Sequence, residues 1–224
     1  MQLAIIVPVL NERLILPLAL ERLLPFRARG AEVILVDGGS EDGSIEIARR
    51  TGVTVLNSAR GRALQMNAGA QAASSKILVF LHADTELPPD ADRLIDDALR
   101  DSSHIWGRFN VCIQGRFRIL AVVSMLMNWR SRLTGIATGD QAIFVARSAF
   151  DKIGRFPEQP LMEDIELSKR LRVLARPVSL RACVIVSGRR WETHGVWRTI
   201  FLMWRLRWAY WRGVPANELA NAYR

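Results

Sequence analysis

Residues 76–88 read KILVFLHADTELP, an almost uninterrupted apolar run that ends in His82, Ala83 and Asp84. A strand that is apolar on both faces is typical of a parallel sheet with helices on both sides. A carboxylate directly after such a strand is costly to bury unless a partner neutralises its charge. This stretch therefore predicts a buried strand of an α/β fold, and a partner for Asp84 at the strand's carboxyl end.

The first half of the chain repeats this alternation of strand and helix. Apolar runs predict strands over residues 3–10, 31–37, 53–57 and 76–82. Helical spacing predicts helices over residues 11–26, 43–50, 61–74 and 88–99. Strands that alternate regularly with helices indicate a mostly parallel, doubly wound sheet.

The second half is less regular, and no linker or repeat divides it from the first. Its patterns predict strands over residues 104–113, 141–147 and 177–187, and a helix over residues 161–174. We therefore predict that residues 1–224 form a single domain.

The composition is basic, with 31 lysines and arginines, 22 aspartates and glutamates, and a formal net charge of +9. This charge favours an anionic partner: nucleic acid, a phosphorylated small molecule or an acidic membrane surface. Cys112 and Cys183 are far apart in the sequence and form neither a metal motif nor a disulfide framework, which favours a reducing compartment. The N-terminal segment does not resemble a signal peptide and no apolar run is long enough to span a bilayer, so we expect a cytoplasmic location.

Polar residues follow three of the predicted strands. The first strand ends in Pro8, Asn11 and Glu12, the second in DGGSEDGS (37–44), and the fourth in HADT (82–85). Ligands of open parallel sheets bind at the carboxyl ends of the strands. DGGSEDGS matches neither GxGxxG nor GxxxxGK[ST], which disfavours a dinucleotide oxidoreductase and a P-loop NTPase.

Each of these motifs also has an ordinary structural interpretation. DGGSEDGS suits a strand-to-helix turn, and the functional alternative is that Asp37 accepts a hydrogen bond from a nucleobase. The HAD tripeptide caps a helix, or holds Mg²⁺ or Mn²⁺ together with substrate phosphates. The acids of MEDIE (162–166) complement a helix dipole, or supply a general base. Arg60 and Arg62 form a solvated turn, or bind a diphosphate.

In combination, these motifs resemble the inverting nucleotide-sugar glycosyltransferases of family 2, which have the GT-A fold. VPVLNE (7–12) and ILVDGGSEDGS (34–44) look like that family's two nucleotide strands, and FLHADT (80–85) looks like the strand with its DxD metal motif. TGDQAIFVARSAFDKIGRFPEQPLMEDIELSKRLR (138–172) is similar to the family's acceptor-side segment. The resemblance covers residues 2 to about 195 and is closest to a compact bacterial subgroup.

This resemblance implies a division of labour along the chain. Residues 1–100 would bind the nucleotide sugar, residues 101–195 the acceptor, and residues 196–224 would form a helical extension. Asp37 would hold the nucleobase, and Glu12 the base or the ribose. Asp164 would be the catalytic base. The other implied substrate-binding residues are Pro8, Asn11, Gly38, Arg60, Arg62, Asn67, Asp84, Gly139, Asp140, Gln141 and Glu163.

The resemblance also implies a cofactor and partners. Asp84 would bind Mn²⁺ or Mg²⁺, with His194 as a second ligand. The donor would be a UDP or GDP sugar. The sequence does not identify the acceptor, and a lipid-linked molecule is one option. Nucleic acid is disfavoured as a partner because acidic strand ends would repel its phosphates.

Two departures from the family pattern are informative. His82 replaces the first aspartate of DxD, which weakens the implied ribose contact and leaves a catalytically inactive scaffold as an alternative. The QxxRW motif of processive members is absent and SGRRWETHG (187–195) stands in its place, which favours the transfer of a single sugar. A nucleotidyltransferase is a weaker alternative, because PVLNER follows the first strand where that class has a basic glycine-rich loop.

The last predicted helix, HGVWRTIFLMWRLRWAYWRG (194–213), is rich in tryptophan and arginine. At about 100° per residue, one face carries an aromatic stripe: Trp197, Phe201, Trp204, Trp208 and Trp211. A second apolar face lies roughly opposite, so the helix needs two apolar neighbours. One is the domain. The other is an anionic membrane on the inner face of the cell, a second copy of the chain in a homodimer, or more of the core.

Overall fold

A computed structural model of the protein describes residues 3–101 and 103–223. Its first half contains the alternating strands and helices that the sequence predicts. The elements are β1 (Leu3–Val9), α1 (Leu16–Ala28), β2 (Glu32–Asp37), α2 (Ser44–Arg50), β3 (Thr54–Asn57), α3 (Arg62–Ala72) and β4 (Ile77–Phe80). β1 lies between β2 and β4 and is parallel to both. Its residues Leu3 to Ile6 are at most 1% exposed, as expected of a strand covered on both faces.

The second half adds shorter and more varied elements. They are β5 (Thr85–Glu86), α4 (Ala91–Leu99), β6 (Trp106–Gln114), α5 (Ile119–Thr134), a 3₁₀ turn (Gly139–Gln141), β7 (Ile143–Ala146), α6 (Arg147–Lys152), α7 (Glu163–Leu174), β8 (Val178–Ser187), α8 (Arg189–His194), α9 (Val196–Trp211) and α10 (Ala216–Tyr223).

All eight strands belong to one sheet with the order β3-β2-β1-β4-β7-β6-β8-β5. The pairs among β1 to β4 are parallel, as is β6 with β8. β7 is antiparallel to both of its neighbours, and β5 is antiparallel to β8. The predicted α/β fold with a mostly parallel sheet flanked by helices is confirmed.

The core lies on the two faces of this sheet. Alternate residues of β1 serve opposite faces: Leu3 and Ile5 pack in one cluster, and Ala4 and Ile6 in the other. A third, smaller cluster joins the start of α7 to the two C-terminal helices. Its buried members are Leu161, Met162, Ile165, Leu206 and Leu219. This third cluster fixes the C-terminal helices against the segment that contains Asp164.

The structure corrects the predicted start of one helix and adds elements that the sequence did not predict. α1 begins at Leu16 rather than at residue 11, with Pro17 in its first turn. The residues before it form a loop in which Asn11 has a φ of +54°. The short elements β5, α6, α8 and α10 were not predicted, and neither was a helix over the apolar run that forms α5.

One alternative for the last helix is wrong. The aromatic stripe of α9 is not covered by core, because its five residues are 60–77% exposed. On α5, Val122, Met125, Leu126, Trp129 and Leu133 are 48–67% exposed. Two neighbouring apolar helix surfaces therefore face outward. Within the described ranges, no helix combines the length and the hydropathy that crossing a bilayer requires.

The two cysteines are distant in sequence but lie on adjacent strands. Cys112 is in β6 and Cys183 is in β8, both are exposed, and both are free thiols. Burial raises the pKa of Cys183, and Cys112 contributes to the same shift.

Candidate active site

A cavity of about 910 Å³ lies at the carboxyl ends of β1 and β4. Its other walls are the start of α3, the 3₁₀ turn, the start of α7, and the helices α5 and α9. Most of the predicted site residues line it: Pro8, Glu12, Arg60, Arg62, Asp84, Gly139, Asp140, Glu163 and Asp164. The topology therefore brings together residues that are up to about 150 positions apart in the sequence.

Glu12 and Asp84 provide negative charge at the strand ends. Burial raises the pKa of Glu12, and the charge of Asp84 adds to the shift, against the opposing charge of Arg189. Arg189 lies 3.6 Å from Oε2 of Glu12. Asp84 receives a long hydrogen bond of 3.4 Å from Oγ1 of Thr85. A carboxylate whose pKa is raised by the charge of a second carboxylate marks a position where a cation would be favoured.

His82 and the 3₁₀ turn connect the end of β4 to the acids of α7. Nδ1 of His82 lies 3.5 Å from Oδ1 of Asp140. A Cβ at Gly139 would lie 2.5 Å from the His82 ring, so only glycine fits there. The N–H of Gly139 in turn donates to Oδ2 of Asp164 at 2.8 Å. Burial alone would raise the pKa of Asp140. The hydrogen bond from His82 and the nearby positive charges outweigh this effect and hold the pKa below its usual value.

The two acids at the start of α7 have different environments. Met162, directly before them, has a φ of +64°, a conformation that is unfavourable for a side chain of this size. Glu163 is 4% exposed, and burial together with the charge of Asp164 raises its pKa, against the opposing charge of Arg62. Asp164 is held by the N–H groups of Gly139 and Ile165 while it lines the cavity.

Arg62 is a cation whose charge interacts with both of these acids. Burial alone would lower the pKa of Arg62. The surrounding negative charges, chiefly that of Glu163, outweigh this effect and raise the pKa above its ordinary value. Arg60 lines the same cavity and is exposed. The nearby acids therefore favour the charged form of Arg62, and both exposed arginines can meet a solvent-borne anion.

The structure does not bring the other predicted residues into the cavity lining. Both oxygens of Asp37 accept hydrogen bonds from its own loop, from the N–H groups of Gly39 and Ser40 and from Oγ of Ser40. Asn11 accepts from the N–H of Glu41. Gly38 packs against Gln65, where a Cβ would be 3.0 Å from that side chain. Asp37 and Asn11 therefore hold the loop that follows β2, and all three residues lie outside the cavity lining.

Asn67, Gln141 and His194 also lie outside the cavity lining. The amide of Asn67 forms two hydrogen bonds with the backbone of Phe156, and Gln141 is fully buried as a cap of the 3₁₀ turn. His194 is exposed, contacts the carbonyl of Arg190 at 3.2 Å, and is not among the residues that line the cavity with Asp84. The expectation that His194 acts as a second metal ligand is therefore not supported.

The sequence model described as glycosyl transferase family 2 matches residues 4–153. This match covers more than half of the chain and includes the strand ends that form the cavity. The chain belongs to glycosyl transferase family 2.

Two curated relatives are similar to this family 2 protein. An undecaprenyl-phosphate 4-deoxy-4-formamido-L-arabinose transferase of Pseudomonas aeruginosa is 26% identical over 208 residues, which cover 86% of this chain and 58% of that protein. The protein of the same name from Aeromonas hydrophila is 31% identical over 109 residues, which cover 43% of this chain and 33% of that protein. The chain thus spans little more than half the length of its curated relatives, or less.

Solved structures of similar fold include two enzymes with bound nucleotide sugars. The mannosyltransferase PcManGT of Pyrobaculum calidifontis, in complex with GDP-Man and Mn²⁺, has a TM-score of 0.68 at 20% identity and covers 93% of this chain and 61% of its own. Glucosyl-3-phosphoglycerate synthase of Mycobacterium tuberculosis, with Mn²⁺ and UDP-Glc, has a TM-score of 0.62 at 18% identity and covers 83% of this chain and 70% of its own. Both likenesses show that the fold is of the GT-A type.

Several residues that line the cavity of this family 2 protein were missed by sequence reasoning. They are chiefly Arg130 of α5, Arg190 and Trp191 of α8, Arg207 of α9, and Tyr223 of α10. The one available signal was that Arg130 and Arg207 interrupt otherwise apolar helical runs. Nothing in the sequence indicated that these helices border the strand ends.

Proposed function

We propose that this family 2 protein is an inverting glycosyltransferase that moves a single sugar from a UDP or GDP sugar to an acceptor hydroxyl. One observation carries the proposal: a single cavity contains Glu12 and Asp84 at the strand ends and Asp164 at the start of α7. The acids at the strand ends and the acid at the start of α7 suit two different requirements of glycosyl transfer. One group meets a charged donor, and the other accepts a proton.

Asp84 would hold a divalent cation, Mn²⁺ or Mg²⁺, on the donor diphosphate. Its carboxylate is half-buried, lines the cavity and repels Glu12. The described residues contain no group of three histidine, cysteine or acidic side chains suited to a metal. The protein would therefore supply one carboxylate, and donor phosphates and water would complete the shell. When bound, the ion would neutralise negative charge on the leaving diphosphate.

Asp164 would accept the proton of the attacking hydroxyl. The hydroxyl oxygen would form a bond to the anomeric carbon as the bond to the diphosphate breaks on the opposite side, with its electron pair leaving on the diphosphate. Attack on that side inverts the anomeric centre. The two N–H groups that hold Asp164 would fix the direction of its carboxylate, so that proton transfer needs no side-chain rearrangement. Arg60 would contact the diphosphate, and Gly139 and Asp140 would shape the acceptor side.

Three observations support the transfer of one sugar to a lipid-linked acceptor. The SGRRWETHG segment (187–195), in place of a QxxRW motif, forms the end of β8 and the short helix α8, whose Arg190 and Trp191 line the cavity. The curated relatives are named as undecaprenyl-phosphate transferases. Exposed apolar side chains border the cavity on α5 and α9: Leu126, Trp129, Leu133 and Trp204.

These exposed side chains would rest on the inner, anionic face of the cell membrane, next to arginines of the same helices. We expect the protein to float with anionic vesicles and to remain in the soluble fraction with neutral ones. Recovery entirely in the soluble fraction, together with a dimeric mass by light scattering, would instead assign the surface to a second copy of the chain.

A thermal-shift panel of UDP, GDP, ADP and CMP, each with Mn²⁺ or EDTA, tests the donor and the metal. A ligand at about 100 times its Kd adds roughly 2.7 kcal/mol, which corresponds to a rise of about 5–10 °C for a protein of this size. One diphosphate should raise the melting temperature only with metal. Asp84→Asn should lose this rise, and Asp90→Asn, the same change at an exposed position, should retain it.

The product then tests the stereochemistry. With the sugar of the stabilising nucleotide, the anomeric configuration of the product, measured by NMR, should be opposite to that of the donor. If no nucleotide stabilises the protein, the transferase proposal fails and a scaffold with a GT-A fold takes its place.

A further inference from the structure

The wall of the cavity formed by α5 and α9 contains two arginines that the mechanism above does not use. Arg130 of α5 and Arg207 of α9 both line the cavity. Nε and Nη2 of Arg130 are buried and have no hydrogen-bond partner in the protein. A guanidinium presents five N–H donors, and buried donors are normally paired. The unpaired nitrogens therefore indicate that a partner from outside the protein belongs here.

The two arginines also lack a directly paired carboxylate within the described residues, although the charge of Asp164 acts on Arg130. Burial lowers the pKa of Arg130 to about 10, the charge of Arg207 acts in the same direction, and that of Asp164 opposes it. The side chain is still cationic at neutral pH. Neither arginine takes part in an ion pair within the described residues. Two neighbouring, partly desolvated cations are favourable when an anion lies between them.

A comparison with Arg108 shows how this protein satisfies an arginine that serves its core. Arg108 is fully buried, and its Nη atoms donate to the carbonyl of Phe109, Oδ1 of Asn110 and the carbonyl of Asn128, so that its unpaired nitrogen is Nε. Arg130 has no comparable set of acceptors on Nε or Nη2, although it is on the helix that contains Asn128. Three hydrogen bonds from its Nη atoms therefore hold Arg108 in the core, whereas Nη2 of Arg130 is left without an acceptor in the protein.

The surroundings of the pair restrict the anion that would bind there. The charge of Asp164 acts on Arg130, and the charge of Arg207 acts on Asp140, so the pair lies near the proposed catalytic base. Leu126, Trp129, Leu133 and Trp204 line the same side of the cavity and are more than half exposed. A small polar anion would leave these apolar side chains uncovered. A phosphate attached to a hydrocarbon chain would cover them.

We propose that Arg130 and Arg207 form a binding site, beside Asp164, for the phosphate group of an amphiphilic acceptor whose attacking hydroxyl is a separate group of the same molecule. The planar guanidinium groups bind phosphate oxygens through paired N–H donors, and the apolar side chains of α5 and α9 contact the chain. The word acceptor rests on the function proposed above. The phosphate site itself rests only on the two arginines and the apolar wall.

Isothermal titration with three probes tests the site: citronellyl phosphate, its alcohol citronellol, and inorganic phosphate. The wild type should bind citronellyl phosphate at least about tenfold more tightly than either of the other two. Arg130→Gln and Arg207→Gln should each lose at least about tenfold in that affinity. Arg118→Gln, directly before α5, and Arg205→Gln, in α9, remove the same charge from exposed positions and should change this affinity less than about twofold.

A lysine variant and the nucleotide-dependent thermal shift test the phosphate site separately from the proposed glycosyl transfer. Arg130→Lys keeps the charge and loses the paired donors, so its affinity should fall between those of the wild type and Arg130→Gln. The nucleotide-dependent thermal shift should be unchanged in both arginine variants. If no nucleotide stabilises the wild type but the arginine-dependent binding of citronellyl phosphate remains, the phosphate site stands and glycosyl transfer fails.

Three results would overturn the site. The wild type could bind citronellyl phosphate no more tightly than citronellol, which would exclude a phosphate contact. Inorganic phosphate could bind as tightly as citronellyl phosphate, which would exclude the amphiphile. The arginine variants could lose the nucleotide-dependent shift and keep the affinity for citronellyl phosphate, which would assign both arginines to the donor diphosphate.

Discussion

The carboxylate of Asp164 is held in place without being covered. The N–H of Gly139 reaches Oδ2 at 2.8 Å, and the N–H of Ile165 reaches Oδ1 at 2.7 Å. These contacts fix the direction of the group and leave it facing the cavity. A carboxylate that is oriented before the substrate binds is suited to accept a proton from it.

Asp164→Asn should therefore impair turnover and spare donor binding. The amide still accepts a hydrogen bond from a backbone N–H but cannot take a proton, so kcat should fall by about 10²–10⁴. The affinity for the nucleotide diphosphate, measured by titration, should stay within about twofold of the wild-type value, since the change leaves the strand ends untouched. Asp90→Asn serves as the control. A kcat within about threefold of the wild type would remove Asp164 from the role of base.

Glu163 is kept at a cost in stability that depends on pH. Its pKa is raised in the folded protein by burial and by Asp164, so the folded state binds this proton more tightly than the unfolded chain does. The free energy of unfolding therefore decreases as the pH rises from about 4.5, the usual value for the group, through the raised folded value. At neutral pH, Glu163 destabilises the fold.

Glu163→Gln should consequently raise the melting temperature at pH 7, by about 2–4 °C for each kcal/mol that is relieved. The difference from the wild type should disappear at pH 4, where both proteins carry a neutral side chain. Glu158→Gln, at an exposed position in the loop before α7, should show no such pH-dependent gain. A destabilised Glu163→Gln at pH 7 would mean that the pairing of Glu163 with Arg62 outweighs the burial of its charge.

The helix α9 has two apolar faces with different partners. Leu206 is 1% exposed and packs with Met162 and Ile165, on either side of Glu163 and Asp164. Trp197 and Trp208 are 64% and 60% exposed and do not line the cavity. One face therefore supports the site, and the other is available for an external surface.

Substitutions on the two faces should separate these roles. Leu206→Ala should lower the free energy of unfolding by about 2–5 kcal/mol, and should reduce kcat because the segment around Asp164 loses its packing. The double variant Trp197→Ser and Trp208→Ser should melt within about 2 °C of the wild type and bind anionic vesicles at least about tenfold more weakly. Vesicle sedimentation and calorimetry measure both. Unchanged vesicle binding by the double variant would remove the stripe from the membrane proposal.

At the scale of the molecule, the sequence predicts the part of the fold that is buried on both sides. β1 and β4 are apolar throughout and β2 is apolar from Val33 to Val36, so their runs are recognisable without knowledge of their partners. The polar residues at their ends were correctly expected at one edge because parallel strands share a direction. Short elements such as β5 and α6 were missed because two to six residues cannot display a period.

Residues whose partners are remote were the hardest to interpret. Asn67 was expected to bind substrate, but its amide is used by the backbone of Phe156, 89 positions away. The stripe of α9 was recognised as unsatisfied, but no pattern shows that α5 exposes a second apolar surface beside the cavity. The position of a helix over a sheet depends on loop geometry, which local sequence does not encode.

The third hydrophobic cluster bears on how cooperatively the whole chain unfolds. Leu219 of α10 and Leu206 of α9 share this cluster with Leu161 and Ile165, so the C-terminal helices cannot leave without exposing the start of α7. We therefore propose that residues 1–224 unfold as one cooperative unit rather than as two halves and an extension. Far-UV circular dichroism reports the whole fold, and tryptophan fluorescence reports mainly the C-terminal segment, since five of the seven tryptophans lie within residues 191–211.

The urea midpoints from the two probes should coincide, and UDP or GDP with Mn²⁺ should shift both by the same amount. The equal shift is the stricter requirement, because the nucleotide binds at the strand ends and the fluorescence comes mainly from α8 and α9. As a matched control, Trp211→Phe removes one exposed tryptophan from the end of α9 and should leave both midpoints unchanged. An earlier transition in fluorescence, unaffected by nucleotide, would mean that the C-terminal helices are a separate unit and that the wall containing Arg207 forms only when they dock.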